Sequence, residues 1–447
     1  MTRTISLLAI ALTIAFIYAN IIGHFSQYSI ITDSKLMHLS VQLAHSGNNP
    51  YLKDEQAKIL WPCAHSAYLY NLSPPAAILI ATPLMQYLDY GHSYALVMTL
   101  CCITNLVALA MLAYRFFREH WFNAFLVIAI MDYAFMFSIY NLTFGDIALG
   151  LNALIIFIFL ALEKHKPTLS GLLLGIAVNL KLFFGLFFIF LLAKKEYAAL
   201  CYSIFFAALI SIVALYFYGP DAYASYTAVL HHIDWYGFNW NASYYGFLSR
   251  LFYNPSEKIA TVFHVPLMVT YVYNALLAVY TWLIFAVCRR LKNNFPLNMS
   301  FIITTMLLLS PLGWAYYFPF LLLCFIVVFK EIQTERHYLF YLFVMLSILF
   351  VIALPFNLQN GYSLSIIQQQ TYGNIFFGAL FSFHLLILHL IYYSKKQKTE
   401  LISTRLLYLL FSTIFLISTG AGLSHVIQHY QHLTNTQEST VCHTHPS

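Results

Sequence analysis

Four charged side chains stand where their surroundings make charge expensive or useful: Asp33, Asp146, Lys181 and Arg250. Asp33 lies a short polar distance beyond the first apolar run (5–22), which sets it near a membrane surface. A carboxylate there can take a proton from a hydroxyl while a lipid-linked leaving group stays in the bilayer; on position alone a solvated loop aspartate is the favoured reading. Lys181 and Asn179 are embedded in LSGLLLGIAVNLKLFFGLFF (169–188). An ammonium at membrane depth is costly unless it snorkels or meets an anion, and snorkelling from mid-run is awkward, so a lipid phosphate is its natural partner. FGDIALGLN (144–152) places Asp146 at the end of an apolar run and Asn152 six residues on, off the same helical face. Asp146 is either a helix cap or a polar group lining a cavity. Arg250, in NWNASYYGFLSR (239–250), sits on an expected interfacial helix with aromatic neighbours, where it clamps a phosphate or anchors at headgroups.

Further polar and aromatic candidates fall in unusual backbone. GNNPY (47–51) supplies Asn49 and Tyr51 in a turn. YNLSPPAAILIATPL (70–84) puts Tyr70 before a double proline that starts an apolar helix, where a missing N–H costs nothing. Asn241 and Ser243 precede Arg250, and LLLSPLGWAYYFPF (307–320) interrupts apolar sequence with Ser-Pro, Gly and Trp314, followed by Tyr316 and Tyr317. Non-helical backbone at membrane depth is tolerated only where protein or a cavity covers it. Glycines 171 and 175 permit close helix packing. The pair His231–His232 with Asp234 lacks a third ligand at metal spacing, and the HTH of the tail is equally thin, so no metal is expected.

The elements that must position these groups follow from composition. Of 447 residues, 61% are hydrophobic and only 9% charged, against about 25% charged in a soluble domain. That excludes a cytosolic enzyme and a disordered chain, and makes the protein polytopic and all-α. After run 5–22, read as an uncleaved first helix with a cytoplasmic N-terminus, come apolar runs at 76–88, 93–114, 122–139, 146–162, 169–193, 197–218, 264–287, 301–309 with 315–329, 338–355, 375–393 and 402–420. About 11–13 transmembrane helices are expected. One membrane domain covers 1–423, with outer loops at about 23–73 and 219–263, and 424–447 is a polar, His-rich tail.

Net charge is +6, and the basic residues cluster between runs: Lys164 and Lys166; Lys194 and Lys195; Arg289, Arg290 and Lys292; Lys330 with Arg336; Lys395, Lys396 and Lys398. These are topology signals and headgroup contacts, not a nucleic-acid surface. Keeping them on one side requires 169–193 to fold back as a bent hairpin near Asn179–Phe184, and 76–88 to stay on the outer side. The alternative has both cross once and puts Arg115, Arg118, Lys164 and Lys166 outside. Of seven cysteines, only Cys63 and Cys442 lie in a loop or the tail, a weakly supported disulfide pair. No internal repeat is visible.

Taken in order, the motifs are more specific than any one of them. Asp33, GNNPY, Y-x-x-x-PP, FG-polar-x-x-x-G-x-N, GLLLGIAVNLK, N-x-S-x-x-G-x-x-x-R and LSPLGW, over roughly residues 1 to 330, resemble the polyprenyl-phosphate-dependent mannosyltransferases of glycosyltransferase family 87, enzymes of GT-C architecture. The resemblance implies Asp33 as catalytic base and Lys181 and Arg250 at the donor phosphate; a leaving phosphate already ionised at neutral pH requires no metal, and no cofactor is expected. It further implies a polyprenyl-phosphate sugar donor, most simply mannose, moved with inversion to a hydroxyl acceptor at the periplasmic or extracellular face of a bacterial inner membrane. Three departures accompany it: Asp146 where the family usually has Gln, with Asn displaced to 152; no proline after Lys181; and Tyr316 and Tyr317 where His is common. The rival readings are a transporter or flippase of lipid-linked sugars, expected to show paired repeats and access from both faces, and a structural membrane protein.

Overall fold

The computed structural model describes residues 33–51, 71–134, 136–231, 233, 236–238, 240–252, 265–290, 294–333, 338–352 and 366–393. The 5–22 and 402–420 runs, Cys63, Tyr70, His232, Asp234, Cys442 and the 424–447 tail lie outside the described residues. The described chain is helical with short connections, and an isolated antiparallel bridge joins Asn241 to Trp314. Among the described residues five helices are long and apolar enough to cross a membrane, and their outward faces carry Phe217, Trp282, Leu267 and Tyr271, each at least 65% exposed. Aromatic and aliphatic rows of that size are solvated by lipid, and the protein is an integral, multi-pass membrane protein.

The segment before the first described pass is not a simple loop. Helix α1 (Asp33–His45) opens on Asp33 itself, the acidic residue of its first turn, where the helix dipole favours a negative charge. Helix α2 (Pro75–Met85) begins at the double proline. It stays at the end of the bundle that holds α1: Gln42 donates to the Met85 carbonyl (3.1 Å), and Thr82 pairs with the Tyr218 hydroxyl (2.9 Å). Run 76–88 therefore returns to the side it started from. Helix α3 (Tyr90–Phe116) follows, capped by Asp89, whose carboxylate accepts the His92 N–H at 3.0 Å. The His92 amide and imidazole hold the Asp89 carboxyl below its ordinary range.

Direction along the bundle can be read from paired contacts. Helices α4 (Trp121–Ala134) and α5 (Met136–Phe144) bring the chain back, and α6 (Ala148–Glu163) then runs parallel to α3. A Cβ on Gly150 would lie 2.9 Å from Cys101 Sγ, while Arg115 makes a two-pronged pair with Glu163 at 2.7 Å. Helix α7 (Pro167–Leu180) packs on α9 (Tyr197–His231). Gly171 lies against Tyr202, Gly175 against Phe206, and the Asn179 amide donates to the Ala207 carbonyl at 3.1 Å. Contacts that advance together make α7 and α9 parallel. The intervening α8 (Leu186–Lys194) must then run back, and 167–194 is a hairpin whose tip is Lys181 and the 3-10 turn Leu182–Gly185. This is the fold-back that the basic clusters demanded.

The packing of α7 on α9 relies on missing side chains. A Cβ on Gly171 would lie 2.4 Å from Tyr202 Cβ and 2.9 Å from the Ser203 backbone nitrogen, so backbone has to move. Gly171→Ala is expected to destabilise the protein by about 1–3 kcal/mol, seen as a lower thermal midpoint in detergent; an unchanged midpoint counts against this close crossing.

The remaining described passes are α11 (Pro266–Arg290), α12 (Phe295–Leu309), α13 (Leu321–Ile332), α14 (Tyr338–Ile352) and α15 (Ile366–Tyr393), with α10 (Tyr244–Phe252) before them. At one end of the bundle Phe116, Phe159, Phe295 and Phe190 form a chain of rings 5.7–6.4 Å apart. The Lys330 ammonium lies 4.3 Å from the Phe117 ring centre, and Arg290 4.6 Å from that of Tyr392. Arg115, Lys164, Lys194, Arg290 and Lys330 thus share that end; the α1 N-terminus, the Lys181 tip and the Ser310–Phe320 segment share the other. Run 219–263, expected as a loop, continues as helix to His231 after a kink at Gly219 (φ 73°) and Pro220.

Candidate active site

The polar end gathers residues that are far apart in the chain. Helix α5 closes on Gly145 in the left-handed region (φ +66°), with the Asp146 N–H returning to the Asn141 carbonyl at 3.0 Å. That is a glycine-terminated helix end. The glycine also makes room: a Cβ there would lie 2.1 Å from Ser34 Oγ and 2.9 Å from the Tyr94 ring. The N-terminus of α1 consequently lies directly on the α5–α6 turn, and the Asp33 and Asp146 carboxyls are in hydrogen-bonding contact. Ser34 pairs with the Tyr90 hydroxyl at 3.1 Å.

Gly145→Ala is expected to disable the site more than the fold. A left-handed alanine costs about 1–2 kcal/mol, while the new methyl group pushes α1 and Asp33 off Asp146. The outcome is most of the activity lost with a modest drop in thermal midpoint; full activity would show that this approach does not matter.

Asp146 does two jobs at once. Its Oδ1 accepts the Ala148 N–H at 2.7 Å, capping the start of α6, and it faces Asp33. It is 4% exposed, whereas Asp33 is exposed.

Lys181 arrives from the hairpin tip. Helix α7 ends at Leu180, and Lys181 is extended (φ −147°, ψ 118°) before the 3-10 turn. Three features of the sequence allow the break: Asn179 is occupied in holding α7 to α9, Phe183 and Phe184 stack into the core, and Gly185 follows. An ammonium at a helix C-terminus also lies at the favourable end of the dipole. Lys181 is partly exposed and within electrostatic reach of Tyr317, Asp146 and Asp33, its Nζ 5.9 Å from the Tyr317 ring centre. Among the described residues no carboxylate forms a direct ion pair with it. Tyr316 and Tyr317 belong to the 3-10 segment Ala315–Phe320 and sit in the same electrostatic neighbourhood as both acids.

Five candidates form the frame rather than the group. The Asn241 amide donates to the Tyr236 and Pro311 carbonyls (2.8 and 2.9 Å), and its Oδ1 accepts from Ser243 N and Oγ. With Ala242 N–H on the Gly313 carbonyl and Ala315 N–H on that of Trp240, these bonds join the N-x-S and SPLGW motifs into one unit that includes Trp314. Asn49 ties the GNNPY turn to Ser225 Oγ at 2.8 Å. Tyr51 donates to the Ser73 carbonyl at 2.6 Å, and its ring lies 5.7 Å from that of Tyr226, a residue within electrostatic reach of Lys181.

Two candidates sit elsewhere. Asn152 is fully buried and donates to Asn105 Oδ1, which belongs to a network with Asp132, Tyr133 and Ser138. Arg250 is not interfacial. It is 2% exposed, with Nε on Asn374 and Nη1 on the Phe238 and Asn241 carbonyls, all neutral partners. Gly373 of α15 lies so close that a Cβ would meet the guanidinium at 2.7 Å. The aromatic helix that suggested an interface is covered by α15, a packing partner more than a hundred residues away. Among the described residues Arg250 makes no hydrogen bond to Asp33, Asp146, Lys181, Tyr316 or Tyr317.

Sequence reasoning missed Asn141 and Tyr226. The Asn141 amide donates to the Tyr316 carbonyl at 2.9 Å, fixing the tyrosine pair beside Asp146; the available signal was an asparagine at the end of an apolar run, five residues before Asp146.

Fold and site together define an all-helical, multi-pass membrane protein with an acid pair and a lysine at the end away from its basic clusters. The model of glycosyltransferase family 87 matches residues 68–311, more than half of the chain, and the protein belongs to that family: it is a membrane glycosyltransferase. No curated protein matches the chain. Among solved structures, ArnT from Cupriavidus metallidurans, in a crystal structure bound to undecaprenyl phosphate, is similar with a TM-score of 0.37 and 12% identity over 86% of this chain and 77% of that one.

Proposed function

We propose that the protein moves a sugar, most simply mannose, from a polyprenyl-phosphate donor to a hydroxyl acceptor at the outer face of a bacterial inner membrane, with inversion. The observation that carries the reading is the meeting of an exposed carboxylate, Asp33, with a cation that has no direct counter-ion among the described residues, Lys181, at the end opposite the Arg and Lys clusters. By the positive-inside rule that end faces outward.

In the proposed step the acceptor oxygen attacks the anomeric carbon as its proton passes to Asp33. The bond from that carbon to the phosphate oxygen breaks, and the prenyl phosphate leaves with the electron pair. Lys181 stabilises the charge gathering on the phosphate. A single displacement converts a β-linked donor to an α-glycoside. The donor phosphodiester is already ionised at neutral pH, so the step does not call for a metal. The acceptor is a glycolipid, polysaccharide or protein hydroxyl.

The test combines genetics with chemistry. Envelope extracts of a deletion strain should contain a product lighter by one sugar, restored by the wild-type gene. The purified protein in nanodiscs should release free polyprenyl phosphate from polyprenyl-phosphomannose only when such an extract supplies acceptor. Identical extracts from deletion and parent strains would sink the proposal, and movement of intact donor without release would favour transport.

A further inference from the structure

The Asp33–Asp146 contact has a consequence of its own. Two carboxyl groups share a hydrogen bond only when one of them carries a proton, because an ionised carboxylate is an acceptor only, and two adjacent carboxylates resist ionising together. The proton's place follows from burial: Asp146 is 4% exposed and Asp33 is exposed, so the penalty for charge falls on Asp146. The Asp146 Oδ1 is already occupied as acceptor of the Ala148 N–H, which leaves Oδ2 to hold the proton toward Asp33.

The titratable groups facing Asp146 are Asp33 on α1, Cys101 on α3, Lys181 at the hairpin tip, and Tyr316 and Tyr317 on the 3-10 segment. Lys181 is the cation among them, and among the described residues it has no direct ion pair. An ionised Asp146 would claim that charge; a neutral one leaves it for another anion.

We propose that Asp146 is a protonated positioning residue: it donates a hydrogen bond that aims the Asp33 carboxylate, and by remaining neutral it leaves the Lys181 charge to the donor phosphate. This rests on the reading of Asp33 as base. During transfer the acceptor proton goes to Asp33, which later returns it to water, and the Asp146 proton stays in place throughout.

The pH dependence follows. Activity falls at high pH as Asp146 ionises, loses its donor hydrogen and competes with the phosphate for Lys181. Asp146→Asn keeps an acceptor for the Ala148 N–H and a donor for Asp33 but cannot ionise. It is expected to retain activity near neutral pH and to lose the alkaline fall, both in kcat and in donor KM; Asp146→Leu, with neither acceptor nor donor, is expected to be poorly active at every pH. An alkaline fall in Asp146→Asn equal to that of the wild type would overturn the inference, as would a folded but inactive Asp146→Asn. Should Asp146→Asn fail to fold, the wild-type profile decides: activity that stays flat up to the pH of unfolding overturns the inference, whereas an alkaline fall with rising donor KM, while the protein remains folded, supports it. Asp33→Asn separates the two ideas: if it turns over normally the base reading itself fails, and if it is inactive while Asp146→Asn keeps the alkaline fall, only the proton-sharing idea fails.

Discussion

Asp33→Asn is expected to lower the rate of sugar transfer about 10²–10⁴-fold, the range for losing a positioned general base, while leaving the fold intact. The substitution keeps the shape of the side chain and an oxygen that can accept from Asp146, but not the capacity to take a proton. Asp33 is exposed and sits at the first position of α1, where asparagine also suits a helix start, so no large loss of stability accompanies the change. Turnover of polyprenyl-phosphomannose, compared at matched protein with equal thermal midpoints, reads the effect. A variant within a few-fold of wild type would remove Asp33 from the chemistry.

Lys181→Met should cost about 10²–10³-fold in kcat/KM, the scale seen when a preorganised donor to developing negative charge is removed. Methionine fills the same apolar path along the end of α7 without the charge. The loss should appear in donor KM as well as kcat, because the phosphate is already anionic before it leaves. Lys181→Arg is expected to recover part of it, since charge is kept but the planar guanidinium presents its donors differently. If Lys181→Met binds and turns over donor like wild type, the phosphate is held elsewhere, and Arg250, whose Nη2 has no hydrogen-bond partner among the described residues, is the next candidate to hold it.

The architecture was largely legible because its causes are compositional. Apolar runs separated by basic clusters fix which ends share a side, and that requirement alone demanded that 169–193 fold back, as the parallel contacts of Gly171, Gly175 and Asn179 with α9 bear out. The double-proline start of α2 and the break at Lys181 were likewise local, written in a missing N–H and in a lysine no continuous span would bury. Helix α1 and the 220–231 helix were not legible: neither is an apolar run, and their helicity depends on packing against α2, α3 and the GNNPY turn.

The site divides in the same way. Residue type marked Lys181, a charge within an apolar run, and left Asp146 open between a cap and a cavity group; Asp33 read by position as a solvated loop aspartate and was singled out by the ordered motifs that follow it. What sequence could not supply was which of the marked residues meet. Asp33 reaches Asp146 because Gly145 has no Cβ to keep Ser34 away, and Arg250 is withdrawn from the surface because α15 closes over it at Gly373. Both are contacts between segments more than a hundred residues apart, set by the geometry of helices packing in three dimensions, which no local pattern of polarity or spacing encodes.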